Sequence, residues 1–242
     1  MPIELNSSIT GELAMSYNPF KIGRINSMPK ELSDLRQKLN RKAKQSPKYR
    51  FYSLYGHLFR RDVLGTAWEH VSKKSGETPG IDGITAEDIG SDAGGVNKFL
   101  TDLQVELKEK RYRAKPVKRI YIPKGKGKMR PLGIPTLKDR VVQLAVHLIL
   151  EPIFEADFLD CSYGFRPGKS AHQALDRVRS YLDKGYTSVY DADLKGYFDS
   201  IPHDKLLKCV RMRVTDRSIL RLIRMWLKAP VVEYDSEGKT RV

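Results

Sequence analysis

The stretch Asp191-Ala192-Asp193-Leu194-Lys195-Gly196-Tyr197-Phe198-Asp199 narrows the folds open to this chain more than any other. The residues before it, Thr187-Ser188-Val189-Tyr190, are β-branched and aromatic and predict a short strand. On a strand, carboxylates at Asp191 and Asp193 stand on one face. Gly196 then breaks the strand and lets the chain turn into Pro202-His203. Acids at the end of a buried strand, followed by a glycine and two adjacent aromatics, suit a divalent-metal site with a flat surface beside it. The other reading of the same residues is a strand ending in a solvated acidic turn.

Charge placement gives the second constraint. The 242 residues carry a formal net charge of +15. Lys21 to Arg61 holds 12 basic and 2 acidic residues and Glu106 to Arg130 holds 11 and 2, so the remainder is mildly acidic. Two basic blocks on an acidic body imply a polyanionic partner, with nucleic acid first. Neither block is an amphipathic helix with a wide apolar face, which argues against a membrane surface. The longest apolar run, Val141 to Leu150, is interrupted by Gln143 and His147 and falls far short of a span. Two cysteines in unrelated contexts, Cys161 and Cys209, make neither a disulfide framework nor a zinc site. The expectation is a cytoplasmic protein, or an intracellular one held in an organelle or nucleoid.

Residues 1–26 are Ser/Asn-rich without periodicity and read as a poorly ordered leader. Leu32, Leu35 and Leu39 mark a helix after Pro29 whose other face is Lys and Arg. Lys38, Arg41, Lys42, Lys44, Lys48 and Arg50 are candidate phosphate contacts on and after it. Further helices are expected from Phe51 to Phe59, from Asp62 as N-cap to Gly76, and from Val96 to Lys110. Trp68 reads as core and Asp82 as a turn residue in a loop whose two glycines need positive φ. Lys118 to Pro123 and Met129 to Ile134 predict a hairpin with cations at its tip and on one face. Thr136 caps a helix with a broad apolar stripe that Pro152 ends or kinks. Ser170 opens another with Ala174, Leu175, Val178 and Tyr181 inward, stopped by Gly185. Two helices, Asp204–Arg213 and Asp216–Lys228, and a hairpin from Val231 through a turn at 235–238 close the chain.

Gly164-Phe165-Arg166-Pro167-Gly168-Lys169-Ser170 has three residues between its glycines where a phosphate-binding P-loop needs four, so it is set aside. The five histidines lack metal-ligand spacing and read as structural.

Taken together, Tyr121-Ile122-Pro123-Lys124, Arg130-Pro131-Leu132-Gly133-Ile134-Pro135-Thr136, Asp139-Arg140, Gln143, Leu150 to Glu155, Ser162 to Pro167 and Asp191 to His203 resemble reverse transcriptases encoded by group II introns. The resemblance covers roughly residues 50–242. It implies an α+β, helix-rich chain forming the fingers and a partial palm of a right-hand polymerase. The fingers would span 27–185, with the hairpin 118–134 and helices 137–183, and the first part of the palm 186–242. Polymerisation in that family uses two Mg2+ ions, with Mn2+ as a substitute. The resemblance places the first catalytic carboxylate at Asp193, with the Leu194 carbonyl as a further metal ligand. It places Lys124 and Arg130 on the incoming triphosphate, Lys118 and Arg119 on the same anionic surface, and Phe198 as a gate against the ribose 2′-hydroxyl. Implied partners are an RNA template or intron RNA, a DNA primer, dNTPs, the remainder of the polymerase chain, and a second copy in a homodimer.

The Tyr-Ala-Asp-Asp hairpin that supplies the family's other catalytic carboxylates does not occur in these residues. The expectation is therefore a piece of a longer or split enzyme, natural or engineered, with little activity alone. Competing readings are a non-catalytic RNA-binding or splicing-cofactor module, and a related defence- or CRISPR-linked reverse transcriptase.

Overall fold

The computed structural model describes residues 28–124, 127–194, 196–234 and, for the backbone alone, 240–241. Residues 1–27, Gly125-Lys126, Lys195, 235–239 and Val242 lie outside the described residues, and with them the expected leader and the turn expected at 235–238.

Helix α1 (Lys30–Gln45), α2 (Tyr55–Leu58), α3 (Arg61–Ser75), α4 (Ala86–Gly90), α5 (Gly95–Lys108) and α6 (Leu137–Glu155) form a helical body. α6 is its axis, packed against α1 and α3. Apolar residues recur on nearly every side of α6, so it must be enclosed to be stable. Val141, Val142, Ala145, Leu148, Ile149 and Ile153 are completely shielded from solvent. α1 contributes Leu32, Leu39 and Ala43, and α3 contributes Val63, Leu64, Ala67 and Val71. Trp68 stacks at a tilt on Phe99, 5.2 Å between centroids, and is core as expected.

Pro152 does not end α6, which continues to Glu155. A proline there cannot donate to the Leu148 carbonyl. The Arg36 guanidinium donates to that carbonyl instead and pairs with Glu151, while Asn40 Nδ2 donates to the Pro152 carbonyl at 2.8 Å. α1 thus fills the gap the imino acid leaves.

Two expected boundaries move and one helix is added. The Phe51–Phe59 helix is only the single turn α2, because the Phe51 backbone bridges to Arg213 and Thr215 at 2.7 Å each. The α3 N-cap is Arg60, not Asp62; Asp62 lies in the first turn and pairs with Arg60 at 2.6 Å. α4 was not expected, although Thr85 and Asp88 form a reciprocal capping box. In the loop before α4 only Gly83 has a positive φ, 72°. Gly80 is needed for another reason: a Cβ there would lie 2.6 Å from the Thr136 Cα.

The strands β1 (Val117–Pro123), β2 (Met129–Ile134), β3 (Val231–Tyr234) and β4 (Thr240–Arg241) form one mixed sheet in the order β2-β1-β3-β4. β1 and β2 pair antiparallel as the expected hairpin, and β3 and β4 likewise. The parallel pairing of β1 with β3, Val117 opposite Val231, ties the two hairpins together across more than a hundred residues. Between them run α7 (Ala171–Leu182), α8 (Tyr197–Ser200), α9 (His203–Arg213) and α10 (Arg217–Leu227).

α7 starts where expected, at a Ser170/Gln173 capping box, but none of its side chains is buried. Leu175, Val178 and Tyr181 were expected inward and are exposed, Leu175 at 65%. Thr187 to Tyr190 is not a strand either; it forms no ladder and Tyr190 is 94% exposed. A strand exists only by pairing, and no described strand lies beside this one. The chain belongs to the α+β class, a helical body on a small mixed sheet.

Candidate functional site

The hairpin is the best-defined part of the site. Its register sets Lys118 against Ile134, Ile122 against Arg130 and Pro123 against Met129. Alternation along a strand then puts Lys118, Ile120 and Ile122 on one face with Arg130, Leu132 and Ile134. The turn is closed by the Lys124 N–H donating to the Lys128 carbonyl at 2.7 Å. Lys124 and Arg130 are both exposed near the tip, where the expected triphosphate contact would be made. Arg119 alternates to the opposite face, with Tyr121, which is hydrogen-bonded to Glu233. Lys118 and Arg119 therefore do not share one surface, contrary to expectation, because adjacent strand residues point to opposite sides.

The base of the hairpin is held by a buried polar cluster. Ile134 is 2% exposed and leads into Thr136, whose hydroxyl caps α6 by accepting from the Asp139 N–H at 3.1 Å. Asp139 also accepts from the Thr136 hydroxyl at 2.7 Å, the Tyr112 hydroxyl at 2.5 Å and the Lys115 N–H at 3.1 Å. Trp226 of α10 donates its indole N–H to the Tyr112 oxygen at 3.0 Å. Burial, then the Asp139 charge, drive the Tyr112 phenol far above its ordinary range, so it stays a donor. Next to it Arg140, 1% exposed, donates to the carbonyls of Ser75 and Thr78 and anchors the loop after α3. The hydrogen bonds of Asp139 to Tyr112 and Lys115 depend on residues more than twenty positions away in the chain.

The acidic stretch is arranged differently. Asp191, Asp193 and Leu194 are exposed and outside any regular element, so the shared strand face argued for the two carboxylates is not formed. Gly196 does turn the chain, with φ 62°, a region closed to residues bearing a Cβ without strain. Phe198 is 85% exposed on α8, its ring 5.6 Å from that of Tyr197. No group of three or more His, Cys, Asp or Glu among the described residues could hold a metal ion. Asp193 supplies one carboxylate, which does not by itself fit a pair of Mg2+ ions facing phosphate.

On α1, Lys38, Arg41, Lys42 and Lys44 are exposed opposite the buried Leu32, Leu39 and Ala43. The Lys42 ammonium lies 4.5 Å from the Tyr49 ring centroid. Lys48 and Arg50 are also exposed, and Arg50 Nε donates to the Arg211 carbonyl at 3.1 Å. The discounted P-loop lookalike is a structural loop. Arg166 clasps Glu155 at 2.7 Å and donates to the carbonyls of Leu159 and Ser162 at 2.7 Å each. Both cysteines are exposed and free. No described helix is long and apolar enough to cross a membrane.

A hairpin with exposed cations near its turn, an exposed acidic stretch and a basic helix are the features that comparison with known proteins puts in context. The family model described as Reverse transcriptase (RNA-dependent DNA polymerase) matches residues 122–242. The chain belongs to the reverse transcriptase family. It is 38% identical over 206 residues to Protein YkfC of Escherichia coli K12, covering 82% of this chain and 52% of that protein. It is 37% identical over 192 residues to the Group II intron-encoded protein LtrA of Lactococcus lactis, covering 78% of this chain and 31% of LtrA. An uncharacterized 91 kDa protein in the cob intron of Schizosaccharomyces pombe is 35% identical over 173 residues. The chain thus spans about half the length of the first of these relatives and about a third of the second.

Proposed function

We propose that this chain is the fingers, residues 27–185, and the first part of the palm, residues 186–242, of an RNA-directed DNA polymerase of the group II intron type. Its basic amino-terminal block grips intron or template RNA. The observation carrying this reading is the hairpin, which sets Lys124 and Arg130 exposed near one tip on a base rigidly joined to α6. Cations there can meet the charge of an incoming triphosphate, and electrostatic stabilisation of this kind lowers a phosphoryl-transfer barrier. Lys118 lies on the same face closer to the sheet; Arg119 drops out of the set.

Divalent ions bound in a completed enzyme would supply activation of the primer hydroxyl and relief of charge on pyrophosphate. Asp193 and the Leu194 carbonyl are this chain's contribution to holding them, and further chain provides the other carboxylates. Phe198, whose ring is fully available, is the bulk that disfavours a ribose 2′-hydroxyl. The exposed apolar residues of α7 and of Val189-Tyr190 await the rest of the palm.

The test is primer extension on an RNA template by this chain joined to further sequence of the length its relatives have. Asp193→Ala should abolish extension and leave RNA affinity unchanged. Extension that survives the change removes Asp193 from the centre and leaves a non-catalytic RNA-binding module.

A further inference from the structure

A second basic surface lies apart from the hairpin. A cleft of about 800 Å³ opens between the segment after α1 and helix α9, lined by Pro47, Lys48 and Arg50 on one side and Lys208, Cys209 and Arg211 on the other. Lys208 and Arg211 are three apart on α9 and so project from the same side of the helix. Lys48, Arg50, Lys208 and Arg211 are all exposed, and none of them enters an ion pair among the described residues. The acid in the cleft, Asp157, is neutralised by Arg213 at 2.9 Å. Four uncompensated cations therefore face one opening.

The cleft is built rather than incidental. Arg213 is 5% exposed and donates to the carbonyls of Ala43 at 3.0 Å, Ser46 at 3.4 Å and Pro47, stitching the end of α1 to the end of α9. The Phe51 backbone bridge to Arg213 and Thr215 and the Arg50 bond to Arg211 fix the same wall. These bonds join residues more than 160 positions apart, so the sequence shows two unrelated basic runs where the fold makes one surface. Tyr52, 69% exposed and two residues beyond Arg50, offers an aromatic face 6.5 Å from the Tyr49 ring. Cations lining a groove, with aromatic rings adjacent to them in sequence, are the elements that hold a single-stranded nucleic acid by backbone and base stacking.

We infer that this cleft is a second phosphate-binding track for single-stranded RNA, continuing the α1 surface and using Lys208 and Arg211 of α9. The inference rests on the proposed contact of the first basic block with RNA. Arg213 positions the track without touching the RNA.

The two cysteines provide the test, because Cys209 lines the cleft and Cys161, also exposed, lies in the loop after α6. The full chain is alkylated with N-ethylmaleimide with and without a mixed-sequence single-stranded RNA, and each cysteine is followed by peptide mass spectrometry. RNA should slow alkylation of Cys209 several-fold and leave Cys161 unchanged. In parallel, the combined change Lys208→Ala, Arg211→Ala should reduce the slope of log K against log salt by about 1.4, two contacts at about 0.7 each. If Lys38→Ala, Arg41→Ala, Lys42→Ala weakens binding while the α9 changes do not, and Cys209 is unprotected, the cleft is overturned and the first-block reading stands. If the unaltered chain binds no RNA, both are overturned.

Discussion

Helices α6 and α7 begin alike and end in opposite surroundings. Each opens on a hydroxyl side chain that caps its third N–H, Thr136 for α6 and Ser170 for α7. Each then carries apolar residues at helical spacing. α6 disappears into the body between α1 and α3, while α7 leaves Leu175, Val178 and Tyr181 in water. Periodicity marks which face would be buried; burial itself needs a neighbouring surface, and only α6 has one among the described residues. The same division holds for strands. β1 has partners on both edges, and the β-branched Thr187–Tyr190 has none and stays irregular.

The sharpest way to break this comparison is to truncate one leucine in each helix. Leu144→Ala in α6 should cost about 2–5 kcal/mol, since a buried cavity forms, whereas Leu175→Ala in α7 should stay within about 0.5 kcal/mol. Urea unfolding followed by circular dichroism checks both, and a large loss at Leu175 would mean that α7 is packed in solution. Arg140→Met should cost about 1–3 kcal/mol, because the Ser75 and Thr78 carbonyls lose their donor. The loop after α3 should then become susceptible to protease while α7 cleaves as before.

A pH series separates the regions next. Burial holds the His70 and His147 imidazoles below their ordinary value of 6.5; neighbouring Lys74 adds to this at His70, while at His147 Glu151 pulls the other way and Arg36 offsets part of that pull. Depressed values favour the neutral rings in the folded state, so stability is full above about 6.5 and declines as pH falls below it. The thermal midpoint of the body should drop between pH 7 and pH 5, and His147→Gln should flatten that drop. A midpoint independent of pH would place these rings in contact with water. The smallest global effect is expected from Ser170→Ala. Losing the cap costs about 1 kcal/mol of helix stability, but no α7 side chain is buried, so its own amides should be the ones to exchange faster by hydrogen–deuterium mass spectrometry.

Much of the fold was legible along the chain. Leu32, Leu35 and Leu39 located α1, the apolar breadth of Val141 to Ile149 located the central helix, and the two strands flanking Lys124 to Lys128 located the hairpin. Less of the candidate site could be read. Lys118 and Arg119 look like one basic surface until strand alternation separates them. Asp191 and Asp193 look like a paired face until the strand beneath them proves to have no neighbour. The cleft at Lys208 and Arg211 was missed because its other wall, Lys48 and Arg50, lies far off in sequence.

By itself the order of residues determined caps, periods and turns: Thr85, Thr136 and Ser170 at helix starts, and Gly196 where the chain must turn. These are local, since a capping oxygen and the N–H it serves lie within one helical turn. Tertiary structure alone decided which apolar faces found cover, that Arg36 would replace the hydrogen bond Pro152 cannot make, and that Asp216 would accept from Leu54 and Tyr55 as well as cap its own helix. Such outcomes depend on surfaces brought together from distant parts of the chain, and burial and buried hydrogen bonds gain their energy only once those surfaces meet.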